Sequence, residues 1–170
     1  MVSQLESNIE STFHALKLAQ SKGVTSLLNP APMREDFPIK MLDAVDILVP
    51  NETEFSQLLR MRFPDTHGSF DEASIPDLEP ENLHKLCRGF KVPTFIITLG
   101  SKGCFVSTEE AFYHVDPITD IEVVDTTGAG DAFVGGFASG MIQTNGDIEK
   151  AAHYGAIVGG LSVTRSGTAP

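Results

Sequence analysis

The stretch VVDTTGAGDAF, Val123 to Phe133, combines two threonines, two glycines and two aspartates, of which Asp131 stands just before a run of small and apolar residues. That run reads as a helix. A helix N-terminus carries partial positive charge and unpaired N–H groups, and glycines there let the backbone approach an anion such as phosphate. An aspartate beside a transferring phosphate has a chemical use if it accepts the proton of the attacking hydroxyl. Spacing alone leaves two equal readings for Asp131, that catalytic base and an ordinary helix cap. Two familiar nucleotide fingerprints are absent: GxGxxG would need glycine where Phe133 stands, and no GxxxxGK[ST] occurs.

Three further clusters stand where strands are expected to end. They are Asn29-Pro30-Ala31-Pro32, Asn51-Glu52-Thr53-Glu54 and Thr98-Leu99-Gly100-Ser101-Lys102-Gly103. Each taken singly reads as something plain: a proline-rich stop, a helix cap followed by an acid, and a hairpin turn. In a parallel sheet such junctions open on one edge, where ligands of α/β proteins sit, so four of them together point to a cleft.

The elements that must position these residues alternate between helix and strand. Ile9, Phe13, Leu16 and Ala19 recur at helical spacing after Ser7, a candidate cap, and before Gly23, so residues 8–22 read as an amphipathic helix. VTSLLNPAP is a short strand stopped by prolines; AVDILVPN is a second strand, and ETEFSQLLRM starts a helix. Residues 62–80 are polar, proline-rich and without period, which predicts a surface insertion or disordered loop. A helix at 80–89 leads to VPTFIITLG, an apolar run suited to a strand buried on both faces. GCFVST and AFYHVDP suit a hairpin turning around Thr108 to Glu110. DAFVGGFASGMIQ reads as a buried helix whose Gly135, Gly136 and Gly140 each cost roughly 1 kcal/mol against Ala, so close packing must compensate. A last helix spans 147 to about 163. The pattern predicts one α/β domain over residues 1–170 with a largely parallel sheet.

Composition narrows the partners. Lys plus Arg is 12 against 23 for Asp plus Glu, a formal net charge of −11, which argues against nucleic acid and anionic membrane as partners. No apolar run approaches the ~20 residues of a membrane span, and the N-terminus lacks a secretory layout, so a cytoplasmic protein is expected. Cys87 and Cys104 have no CxxC spacing and read as small core residues.

Taken together, these residues resemble the ribokinase, or PfkB-type carbohydrate kinase, family. DTTGAGDAFVGGF resembles its second signature, NETE its N-x-x-E motif, and TLGSKG the turn that lies along ATP; QLE at 4–6 and NPAP resemble ribokinases in particular. The resemblance implies a three-layer α/β/α fold, and it implies that the family's N-terminal half and small β-sheet lid are absent from this chain. It implies phosphorylation of D-ribose by ATP to D-ribose 5-phosphate, with Mg²⁺ and K⁺. Asp131 would be the general base, also touching the sugar, and Gly128, Ala129 and Gly130 the anion hole. Glu6 would bind the ribose. Asn51 would face the phosphates, and Thr98, Leu99, Gly100, Ser101, Lys102 and Gly103 would line the nucleotide together with Gly130 and Asp131. Glu54 would organise magnesium through water. Asp125, Thr127, Ser162, Arg165 and Gly167 would hold potassium, mostly through backbone carbonyls. Small-molecule sugar and ATP are then the expected partners, with a homodimer reserved for a full-length parent. Two alternatives stay open: a sister kinase for another sugar or nucleoside, and a nucleotide-binding fragment without turnover.

Overall fold

The computed structural model describes residues 1–67 and 71–167. Six strands lie side by side in chain order: β1 (Val2–Ser3), β2 (Leu27–Leu28), β3 (Ile47–Leu48), β4 (Thr94–Thr98), β5 (Cys104–Ser107) and β6 (Phe112–Val115). β1 to β4 are parallel neighbours, with Val2 opposite Leu27, Leu27 opposite Ile47 and Ile47 opposite Thr94. β5 follows β4, and β6 follows β5, through links too short for a parallel crossover, as in hairpins. The helices are α1 (Ile9–Ser21), α2 (Glu52–Arg62), α3 (Pro64–His67), α4 (Pro80–Arg88), α5 (Ala129–Gln143) and α6 (Ile148–Ser162). The backbone divides into two compact units, one of Met1–Ile97 with Ser107–Tyr113 and the other of Thr98–Val106 with His114–Pro170.

In the first unit the sequence pattern explains most of what forms. Thr12, Leu16 and Ala19 bury one stripe of α1, and Gly23, at φ 65°, lies just beyond its end. The cap is Asn8 rather than Ser7. Its side chain accepts the Ser11 N–H at 2.9 Å, which places the first helical residue at Ile9. Strands β2 and β3 are shorter than their apolar runs suggested, because a 3₁₀ turn at Ile39–Ala44 leads into β3 and the prolines of NPAP follow β2. Ser26 and Asp46 lock these two strands at their entry: Asp46 Oδ2 accepts from the Ser26 N–H at 2.7 Å and from its hydroxyl at 2.8 Å. The first four residues of β4 are buried, as a strand covered on both faces must be.

Phe55, Leu58 and Leu59 of α2 are buried. Phe55 sets its ring edge-on to Phe95 of β4 with centroids 5.5 Å apart, Phe90 adds a ring 5.4 Å from Phe95, and Phe63 one 5.6 Å from Phe90. This aromatic cluster fixes the start of α2, where Asn51 and Glu54 stand. The segment 62–80, expected as a surface insertion or disordered loop, carries short helical turns. α3 lies within it, followed after residues 68–70, which fall outside the described residues, by a 3₁₀ turn at Glu72–Asp77. Ile75 in that turn is fully buried, so one apolar side chain anchors an otherwise polar stretch. Cys87 and Cys104 are free, buried thiols, as expected; burial pushes Cys104 up to about 12.

In the second unit α5 and α6 pack closely along glycines. A Cβ on Gly136 would stand 2.7 Å from Val158 Cβ and 2.9 Å from the Tyr154 carbonyl oxygen, and one on Gly140 would stand 2.8 Å from Ala151 Cα. Gly155 meets Phe133 from the other side at 3.0 Å. The helix-weakening glycines at 136 and 140 are therefore offset by backbone approach. Gly135 is not, since nothing lies within 4 Å of its Cβ position. Two substitutions should part in sign in thermal melts. Gly136→Ala is expected to destabilise by about 1–3 kcal/mol through overpacking. Gly135→Ala is expected to stabilise by about 0.5–1 kcal/mol, because only the helix-interior glycine penalty is removed. In the first unit, Asn51→Ala should lower stability by about 0.5–2 kcal/mol through loss of the α2 cap, read by denaturant unfolding.

Candidate active site

Gly128 caps α5 in the left-handed region, at φ 79°, a conformation a side chain resists. The helix begins at Ala129, so Asp131 is its third residue. Asp131 is therefore not the N-cap, a position that belongs to Gly128 three residues earlier. Asp131 instead projects from the first turn and is exposed. Of the expected anion-hole amides, the Ala129 N–H is directed at the Thr126 carbonyl at 3.2 Å, closing the turn before the helix. Gly130, exposed and with open space where a Cβ would stand, lies in the same first turn, where N–H groups have no partner within the helix.

A second segment meets this turn from the end of α6. Asp125 accepts the Thr127 N–H at 2.9 Å through Oδ1 and the Gly167 N–H at 3.1 Å through Oδ2. The Val163 carbonyl accepts the N–H groups of Val124 and Asp125 at 2.8 and 3.1 Å. One carboxylate and one carbonyl thus tie the segment entering the GAGD turn to the turn leaving α6. These bonds hold the Asp125 carboxyl below the usual carboxylate range, the Thr127 amide contributing most.

Between the two segments opens a cleft of about 570 Å³ lined by Thr127, Gly128, Asp131, Val158, Leu161 and Arg165, among others. It gathers Gly128, Thr127, Asp131, Ser162, Arg165 and Gly167 from the residues singled out in the sequence. The apolar lining had no place among them. Val158 and Leu161, three residues apart on α6, are 38 and 55 % exposed, whereas their spacing in sequence reads as ordinary core. The signal that separates the two is only burial, which the sequence does not carry. A cleft with an apolar wall, a helix N-terminus and a carboxylate at its mouth can take a flat apolar group and an anion together.

The turn after β4 belongs to the same unit. Gly100, Ser101 and Lys102 form a 3₁₀ turn, the Leu99 N–H bonds the Gly103 carbonyl at 2.8 Å, and Thr98 ends the strand. Gly103 adopts φ 82°, and a Cβ there would collide with the Val115 carbonyl. This position admits only glycine.

Asn51, Glu54 and Glu6 lie in the first unit. Asn51 and Glu54 form a reciprocal capping box: the Glu54 N–H donates to Asn51 Oδ1 at 2.8 Å, and the Asn51 N–H to Glu54 Oε2 at 2.9 Å. Glu54 is nonetheless only 7 % exposed, unusual for a carboxylate whose role is capping alone. Glu6 sits exposed in the bend after β1. Beside that bend Asn29, passed over in the sequence as a strand stop, is buried and bridges three strand ends; it accepts from Gln4 Nε2 at 2.9 Å and donates to the Val49 carbonyl at 2.7 Å. No group of three or more His, Cys, Asp or Glu side chains suited to a metal ion occurs among the described residues. No helix among them is long and apolar enough to cross a membrane.

Asp125→Asn keeps one acceptor for Thr127 but turns an amide NH₂ toward the Gly167 N–H. Faster hydrogen exchange at Gly167, with exchange in the α5–α6 interface unchanged, is the expected result. The carboxyl is depressed in the folded chain, so its contribution is present above the unfolded value of roughly 3.9 and is lost as pH falls through the lower folded value. Protection at Gly167 should therefore persist at pH 5 in the parent chain and fade only in stronger acid.

Comparison with known proteins accords with this geometry. A family model described as pfkB family carbohydrate kinase matches residues 2–170. A deoxyribokinase of Salmonella typhi is 35 % identical over 168 residues, covering 99 % of this chain and 51 % of that protein. A ribokinase of Staphylococcus aureus is 32 % identical over 167 residues, 98 % of this chain and 51 % of that one. Among solved structures, a ribokinase from Thermotoga maritima superposes with a TM-score of 0.80 at 28 % identity, and Arabidopsis thaliana ribokinase complexed with ribose and ATP with 0.79 at 29 %; each match covers 98 % of this chain and 50 % of the other. The chain spans about half the length of the curated relatives it matches, and its mostly parallel sheet with flanking helices is the ribokinase-like α/β fold. A match that runs along nearly the whole chain makes this chain a member of the pfkB family of carbohydrate kinases.

Proposed function

We propose that the chain carries the nucleotide-binding and proton-accepting part of a kinase that phosphorylates D-ribose, or a closely related pentose, at its 5-hydroxyl with ATP. The observation that carries this reading is Asp131 on the first turn of a Gly128-capped helix, facing a cleft with an apolar wall. Asp131 accepts the hydroxyl proton as the sugar oxygen forms its bond to the γ-phosphorus, and the bond to the β-phosphate oxygen breaks to release ADP. Gly128 and Gly130 let the turn's backbone approach the charge that develops on the transferring group, with the Gly130 amide contributing and Ala129 closing the turn. Residues 98–103 line the nucleotide and Glu6 holds the sugar. The relatives support the substrate class: they include proteins named ribokinase and deoxyribokinase, and one solved relative is a complex with ribose and ATP.

Magnesium and potassium belong to the same proposal. Magnesium ordinarily keeps several waters and takes one or two carboxylates plus phosphates, so a single carboxylate, Glu54, would hold it through water with Asn51 beside it. When bound, it would supply charge for the phosphates. Asp125, Thr127, Ser162, Arg165 and Gly167 fit a monovalent cation held by turn carbonyls. The carboxylate at 125 still has lone pairs beyond the two N–H groups it accepts.

A second reading has its own observation. Because the chain spans about half of its relatives, nucleotide binding without turnover is the alternative for the chain as it stands. Ribose-dependent release of ADP by the 170-residue chain, against deoxyribose, fructose and adenosine, separates the two. Asp131→Asn is expected to cut turnover by at least about 10²-fold, the lower end of a general base's contribution, while leaving ATP affinity within about twofold. Turnover that survives the substitution would remove Asp131 from the proton-accepting role.

A further inference from the structure

The cleft that would take a nucleotide lies in a chain of net charge −11 and has one carboxylate, Asp131, in its lining and a second, Asp125, bonded to the lining residues Thr127 and Gly167. A polyphosphate entering there meets the partial charge of the α5 N-terminus, worth about half a unit. That is little against the several negative charges of a triphosphate. Among the described residues that line the cleft, Arg165 is the one basic side chain. It stands on a turn pinned at both ends: Thr164 donates its hydroxyl to the Leu161 carbonyl at 2.8 Å, and the Gly167 N–H donates to Asp125 at 3.1 Å. The Asp125 clamp therefore holds the backbone of Arg165 against the GAGD turn while its side chain remains exposed.

We infer that the Arg165 guanidinium binds the phosphate chain of the nucleotide, so that this side chain sets the preference of the cleft for a nucleoside polyphosphate over the bare nucleoside. The inference rests on the nucleotide reading given above, and it concerns the side chain, which is separate from the backbone carbonyl offered to a cation. A guanidinium presents paired N–H donors that match two phosphate oxygens, which an ammonium does only as a point charge. The apolar Val158 and Leu161 of the lining suit the base, and Arg165 in the same lining suits the charged end of the ligand.

Calorimetric titration of the 170-residue chain with ATP and with adenosine, at fixed ionic strength and saturating magnesium, tests it. Arg165→Gln is expected to weaken ATP about tenfold or more while adenosine stays within about twofold, with Arg165→Lys between the two for ATP. Equal weakening of both ligands, or no change in either, would overturn the inference. If the parent chain binds neither ligand, the nucleotide reading of the cleft falls first and the role of Arg165 falls with it. That result appears before any variant is compared, so the two failures are distinguishable.

Discussion

Everything at the candidate site depends on how closely α5 and α6 approach. Gly136 and Gly140 on one helix and Gly155 on the other remove the side chains that would hold the two apart, and Val158, Tyr154, Ala151 and Phe133 fill the space. Helix axes that pack through glycine lose intrinsic helix stability at each such residue and recover it as van der Waals contact along a longer interface. The consequence at the site is geometric. The start of α5 and the end of α6 are brought to one place, and neither the GAGD turn nor the turn after Ser162 could be fixed without the other.

Asp125 completes that arrangement. Its two oxygens receive amides from residues 2 and 42 positions away, so one side chain joins a local turn to a distant one. Hydrogen bonds from backbone N–H groups to a carboxylate are stronger than those between neutral partners, and they need no long flexible side chain to be ordered. The same economy appears in the first unit, where Asn51 and Glu54 exchange backbone bonds across one turn of α2 and Asn29 links the ends of neighbouring strands. Polar side chains at the ends of buried strands thus do structural work while lying where ligands of α/β folds bind.

Much of this was legible in the residues. The apolar run TFIIT had to be a strand buried on both faces, the period of Leu16 and Ala19 had to be a helix, and the Gly-rich turn before Asp131 had to lead into another. Where the reading failed, the cause was a contact remote in sequence or a choice between neighbours. Ser7 and Asn8 are both good caps, and only the helix start decides between them. Ile75 is one apolar residue in a polar stretch, and its burial depends on α2 lying alongside.

The sequence by itself determined the element types, the acidic character and the residues able to handle a phosphate and a proton, because these follow from side-chain chemistry and short-range periodicity. Tertiary structure alone decided that Asp131 is a first-turn residue rather than a cap, that the Ala129 amide closes a turn, and that Val158 and Leu161 face a cleft rather than a core. Each of those outcomes rests on the left-handed turn at Gly128 and on the packing of two helices, and packing between segments leaves no local trace in the chain that forms it.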